Sequence, residues 1–142
     1  MVGLIVFVAL MLSGCAQIAD LPETPSKAFE LKNTQWTDSL LVETFKAKVA
    51  LKDALALADD ALAATGFEPR PESSNAGRRC GEYGTTLTEW TMWACFYFVE
   101  DQDLDLRGRV IVQSWKSFGA TTNQPWHLLL ASAFQNRLAL AR

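Results

Sequence analysis

The stretch TLTEWTMWACFYFVE, residues 86–100, decides the fold. It is rich in aromatic and β-branched side chains, the types that fit a pleated, half-buried surface. A short acidic turn, Asp101 to Leu106, leads into RGRVIVQSWKSFG, residues 107–119, which is strand-like as well. Together the two runs predict a β-hairpin. With the turn centred near Leu104, Phe98 is expected opposite Val110, Phe96 opposite Val112 and Trp93 opposite Trp115. Because side chains alternate along a strand, one face then carries Trp90, Met92, Ala94, Phe96, Phe98, Val110, Val112 and Phe118. That is the expected core face. The other face carries Trp93, Cys95, Tyr97, Ile111, Gln113 and Trp115, and it is too apolar for plain solvent exposure.

Upstream, LLVETFKAKVALKDALALADDALAATGF (residues 40–67) divides in two. From Ala50 onward Leu51, Ala54, Leu55, Leu57, Ala58, Ala61 and Leu62 share one face of a helical wheel, opposite Lys52, Asp53, Asp59 and Asp60. Phe45 and Val49 fall on the polar side of that wheel. As a strand, Phe45, Ala47 and Val49 instead point one way and Lys46 and Lys48 the other. A strand near 40–48 and a helix near 50–65 follow, with Gly66 as the left-handed terminator. Residues 67–85 are dense in Pro, Gly, Ser and Asn and are expected to be a long loop. After the hairpin, Pro125 suits the first turn of a second helix. Its apolar arc is Trp126, Leu130, Ala133, Phe134, Leu138 and Ala141. The expected class is α+β, a small antiparallel sheet with two helices packed on it in the order β-α-β-β-α.

Length and charge set bounds on function. A chain of 142 residues, 49% apolar and 20% charged, is ordinary for one globular domain. Its net charge of −3 offers no electrostatic footprint for nucleic acid. There is no polybasic run for anionic headgroups either.

The N-terminus differs from the rest. Val2 to Leu12, VGLIVFVALML, is eleven positions without a polar side chain. A membrane-spanning helix needs roughly 20 such residues, so this run is too short to span and fits the apolar region of a secretory signal peptide. Leu12-Ser13-Gly14-Cys15 then resembles the lipobox of bacterial lipoproteins. The resemblance implies lipid on the Cys15 sulfur and cleavage just before it, so that residues 1–14 are a signal peptide. Only Met1 precedes the apolar run, without the Lys or Arg expected there. A start codon further upstream, with a basic residue after it, is the expectation. Ala16, rather than Asp, follows the cysteine, and for a Gram-negative member of the family the resemblance then implies the outer membrane; its periplasmic face is the expected location. Residues 15–38 are expected to be the lipidated cysteine and a tether, with Ala28, Phe29 and Trp36 able to dock on the domain. Residues 39–142 are the expected domain, and a fragment from about residue 38 is expected to fold alone.

With Cys15 taken by lipid, Cys80 and Cys95 are the remaining pair, and an exported chain enters an oxidising compartment. A structural disulfide is expected, pinning the glycine-rich loop against the second hairpin face. The C-x-x-C spacing of a redox pair and the four ligands of a zinc site are both missing.

Residues for chemistry are sparse. His127 is the single histidine, and no serine or cysteine sits in a nucleophile motif. Asp101-x-Asp103-x-Asp105 has the opening of a calcium loop, but Leu106 stands where glycine is needed and Val112 where glutamate is needed. An acidic turn is the better reading, and Asp59-Asp60 look solvated. No cofactor, metal or enzymatic activity is expected. What remains is aromatic: Trp93 and Trp115 with Tyr97, Arg109 and Gln113 form a candidate binding face, since tryptophan is enriched at binding surfaces. Two functions are compatible with these observations. One is a non-enzymatic envelope lipoprotein, membrane-bound through Cys15, that binds or scaffolds another envelope protein. The other is a module for a small ligand or cell-wall glycan.

Overall fold

The computed structural model describes residues 21–31, 40–84, 92–102, 105–114 and 124–141. In chain order the elements are α1 (Pro25–Glu30), β1 (Leu40–Ala47), α2 (Leu51–Ala64), β2 (Glu68–Pro69), a 3-10 turn (Pro71–Ser73), β3 (Arg78–Tyr83), β4 (Met92–Glu100), β5 (Leu106–Ser114) and α3 (Trp126–Leu140). The strands form a single antiparallel sheet in the order β1-β5-β4-β3-β2. The fold is α+β, with α2 and α3 on one face of this open sheet.

The hairpin β4–β5 forms, but its register differs from the sequence expectation. Phe98 stands opposite Gly108, Phe96 opposite Val110, Ala94 opposite Val112 and Trp93 opposite Gln113. The shift is two residues along β5. A one-residue slip would exchange the faces, whereas a two-residue slip preserves them. Met92, Ala94, Phe96, Phe98, Val110 and Val112 therefore all lie in the main core. The Asp101 N–H donates to the Asp105 carbonyl at 2.7 Å, closing the turn two positions tighter on the β5 side. Packing favours the same register. Gly108 pairs with Phe45 of β1 as well as Phe98, and the Phe45 ring lies directly over the Gly108 backbone. From there Phe45 meets Phe134 at 5.0 Å and both Phe96 and Phe98 at 6.2 Å between ring centroids. Trp90, Leu104, Trp115 and Phe118 fall outside the described residues.

The division of residues 40–67 into strand and helix matches the expected one. On α2, Ala54, Ala58 and Ala61 are fully buried, and their small side chains let the helix sit close to the sheet and to α3. Gly66 has φ +93. The Gly66 N–H donates to the Ala63 carbonyl at 3.2 Å and the Phe67 N–H to the Leu62 carbonyl at 2.9 Å, a Schellman cap. Phe67 and Leu62, which flank the cap, are both buried in the main core. Trp126, Leu130, Phe134 and Leu138 of α3 bury as the apolar arc predicts, joined by Ala131; Ala133 is only half-buried, and Ala141, at the C-cap where the helix has ended, is exposed.

Two features correct the sequence reading. Residues 67–85 are not one long loop, since β2, the 3-10 turn and β3 lie within them. Short runs broken by Pro69, Gly77 and Gly81 carry too little alternation to signal strands. They are held by the ladder to β4, where Cys80 faces Cys95. Second, α1 adds a third helix. It lies within the segment expected to be a tether, and it packs on the sheet face opposite α2 and α3.

Candidate functional site

The second sheet face is built by the odd-numbered residues of β4 and β5. Tyr97, Cys95 and Ile111 are buried there, with Cys80 of β3 beside them and Trp93, Leu40 and Val42 half-buried around them. Cys80 and Cys95 form a disulfide, their Cα atoms 4.1 Å apart. The Cys80 N–H donates to the Ser74 hydroxyl at 3.3 Å, and its carbonyl accepts from the Arg70 N–H at 2.9 Å. Both main-chain groups of Cys80 thus turn away from β4. The disulfide therefore staples a pair that the ladder itself leaves without hydrogen bonds.

Residues 21–31 cover much of this face. Leu21 is 7% exposed and Ala28 fully buried in the same cluster, with Phe29 and Leu31 packed against it. The short helix α1 starts locally: Pro25 is its first residue, and the Thr24 hydroxyl accepts from the Lys27 N–H at 3.3 Å. Six residues give too little helix to stand alone in water, so the sheet must hold it. The Tyr97 hydroxyl and Arg78 Nη1 both donate to the Pro22 carbonyl at 2.7 Å. Asn75 Nδ2 donates to the Glu23 carbonyl at 2.9 Å. At the other end Arg109 Nη1 donates to the Ala28 carbonyl at 2.8 Å and the Leu31 carbonyl at 3.2 Å, while its Nε donates to the Thr44 hydroxyl at 2.9 Å. The Arg107 and Arg109 guanidinium groups also lie 5.1 and 4.9 Å from the centre of the Phe29 ring.

The residues of the candidate binding face are thereby sorted. Tyr97 is fully buried, and burial pushes its phenol well above its ordinary pKa against the pull of nearby Arg78. Tyr97 spends its hydroxyl on the N-terminal segment, and Arg109 spends Nη1 on that segment and Nε on Thr44 of β1. Trp93 and Gln113 face each other across β4 and β5. Trp93 Nε1 and Gln113 Oε1 are buried without hydrogen-bond partners. Trp115 lies outside the described residues, as does Cys15.

Elsewhere, His127 is half-buried in the first turn of α3, and burial lowers its pKa against the opposing effect of Glu43. Among the described residues no cluster of three His, Cys, Asp or Glu side chains could hold a metal ion. Asp59 is less solvated than its sequence context suggests. Its carboxylate pairs with Arg79 Nε at 3.3 Å, and burial pushes its pKa up despite that cation. The two line a shallow cleft of about 350 Å³ with Pro69, Pro71 and Ser74. Only the partner on a distant strand, which sequence spacing does not reveal, distinguishes Asp59 from exposed Asp60.

The class of molecule thus defined is a small open-sheet α+β domain whose second face is lined by its own N-terminal segment and stapled by a disulfide. No protein-family model matches the chain, and no curated protein does. Among solved structures it is similar to an uncharacterized conserved protein YugN from Geobacillus kaustophilus HTA426. That likeness has 20% sequence identity and a TM-score of 0.31 and covers 68% of this chain and 80% of that one. A likeness at that level bears on neither mechanism nor function.

Proposed function

We propose that the chain is an envelope lipoprotein, anchored through lipid on Cys15, whose domain acts as a non-enzymatic interaction or scaffolding protein at the periplasmic face of the outer membrane. The observation that carries the anchor is the sequence Leu12-Ser13-Gly14-Cys15, directly after an apolar run too short to cross a bilayer. Lipidation with two or three chains holds a protein far more firmly than one chain, which binds only marginally. The disulfide between Cys80 and Cys95 suits an oxidising compartment. The interaction reading draws support from where the polar groups are spent, since Tyr97 and Arg109 serve the fold. Replacing Cys15 with serine should abolish incorporation of radioactive palmitate and leave an uncleaved precursor. Equal incorporation in the variant would overturn the anchor.

The glycan or small-ligand reading has one observation in its favour, the unpaired Trp93 Nε1 and Gln113 Oε1 on facing strands. Cell-wall glycan fragments that shift tryptophan emission in the native protein, but not in Gln113→Leu, would favour it over scaffolding.

A further inference from the structure

We infer that the domain pairs with a second copy of itself through β1, edge to edge and antiparallel about a twofold axis at Val42, so that two open sheets become one. The pairing goes beyond the envelope reading above and does not depend on lipid at Cys15.

The two rims of the sheet are guarded differently. β2, at one rim, is two residues long and ends in Pro69. Shortness and proline both blunt a strand edge. β1, at the other rim, runs for eight residues, LLVETFKA, with neither proline nor glycine, and all of it is in register with β5. Its outward hydrogen-bonding groups follow from the ladder. Cys80 and Cys95 face each other without exchanging main-chain bonds, so the odd residues of β4 bond to β5, where Cys95 faces Ile111. Bonding direction alternates along each strand, so Leu106, Gly108, Val110 and Val112 serve β1 through Ala47, Phe45, Glu43 and Leu41. Leu40, Val42, Thr44 and Lys46 therefore turn their main-chain groups outward. One of these groups is used in the way this parity requires: Gln135 Nε2 of α3 donates to the Lys46 carbonyl at 3.2 Å. Among the described residues, the outward main-chain groups of Leu40, Val42 and Thr44 have no partner.

A bare edge accepts any extended chain, but a second copy matches this one in both layers at once. With Val42 on the axis, Leu40 faces Thr44 of the second copy. Each facing pair exchanges two hydrogen bonds, and the Lys46 carbonyl is left to Gln135. Moving the axis to Glu43 would instead set Glu43 directly against Glu43 of the second copy, a pairing of like charges. In the helix layer, α3 lies over β1 and β5 while α2 lies over β2, β3 and β4. Strands about 4.8 Å apart put α3 about 5 Å inside the seam and its two copies about 10 Å apart, the distance of packed helices. Leu128 stands about two helical turns before Gln135 and so shares the side of α3 that overhangs the edge. It is 46% exposed, and the pairing buries it against its counterpart.

The test is sedimentation of the full chain in detergent, with the solvent density matched to the detergent, over a dilution series. The expected result is a reversible equilibrium of monomer and dimer. Val42→Pro removes one outward N–H and leaves the ladder to β5 whole, the kind of position where an edge strand tolerates proline; this variant should be monomeric. Leu128→Glu changes an exposed side chain and sets like charges across the seam, so it should weaken dimerisation at least about tenfold. It decides the matter should Val42→Pro not fold. A spin label at Lys46→Cys, read against the unsubstituted protein, should report a backbone separation of about 27 Å across the dimer. A separation far from that value would overturn the register. A chain that stays monomeric at every concentration would overturn the pairing itself, and so would a dimer that folded Val42→Pro, or Leu128→Glu, leaves intact.

Discussion

Gly108→Ala is the most exacting test of the packing described here. A Cβ at Gly108 would lie 2.3 and 2.4 Å from the Phe45 ring, far inside ordinary contact. The ring must then move by more than an ångström. It cannot do so freely, because it is wedged at 5.0 Å from Phe134 and 6.2 Å from Phe96 and Phe98. Overpacking of this kind costs about 1–3 kcal/mol. Against it, removing a glycine from a strand reduces the entropy of the unfolded chain and stabilises by about 0.4–1 kcal/mol. The balance is a loss of about 1–2 kcal/mol, or about 4–8 °C in Tm for a domain of this size. Thermal melts followed by circular dichroism measure it. A second arm isolates the cause: in a Phe45→Ala background the clash is gone, and Gly108→Ala should be neutral or stabilising there. An unchanged or raised Tm in the single variant would refute the reasoning. So would an equal loss in both backgrounds.

Three further outcomes are expected. Cys80→Ala with Cys95→Ala should lower unfolding free energy by about 3 kcal/mol, the chain-entropy value for a loop of this length, as read by urea titration. Tyr97 holds its proton in the folded state to a pH well above the value of 10.0 at which an exposed phenol ionises. Above that pH the unfolded chain binds fewer protons than the folded one, so stability should fall by up to about 1.4 kcal/mol per pH unit, and Tyr97→Phe should flatten this limb. Finally, a fragment starting at Leu21 should melt higher than one starting at residue 39. The shorter fragment should bind a hydrophobic dye on the face of Tyr97 and Ile111 that residues 21–31 otherwise cover; identical melts would show that this cover contributes nothing.

Several parts of this molecule were legible without any tertiary information. Alternation in residues 92–100 and 106–113 assigned each side chain of the hairpin to its face, because the period of two survives a register error of two. The wheel of Ala54, Leu55, Ala58, Ala61 and Leu62 marked α2, and Gly66 marked its end, since both signals arise within one or two helical turns. The shared face of Trp93, Cys95 and Tyr97 followed from the same parity. That Ala28 and Phe29 dock on the domain was legible too, and both pack on this face; the polar groups that hold the segment there were not. Tyr97 and Arg109 bond carbonyls 75 and 81 residues away in the chain. A backbone carbonyl is present at every residue, so the sequence carries no mark of which one will accept. The strand β3 was likewise invisible locally, its conformation imposed by pairing with β4 across the disulfide. The hairpin register, too, goes with contacts the sequence does not mark: the Asp101–Asp105 bond that closes the turn and the Phe45 ring of β1 over the bare backbone of Gly108. Local periodicity determined which way side chains point; contacts between segments far apart in sequence determined what they meet.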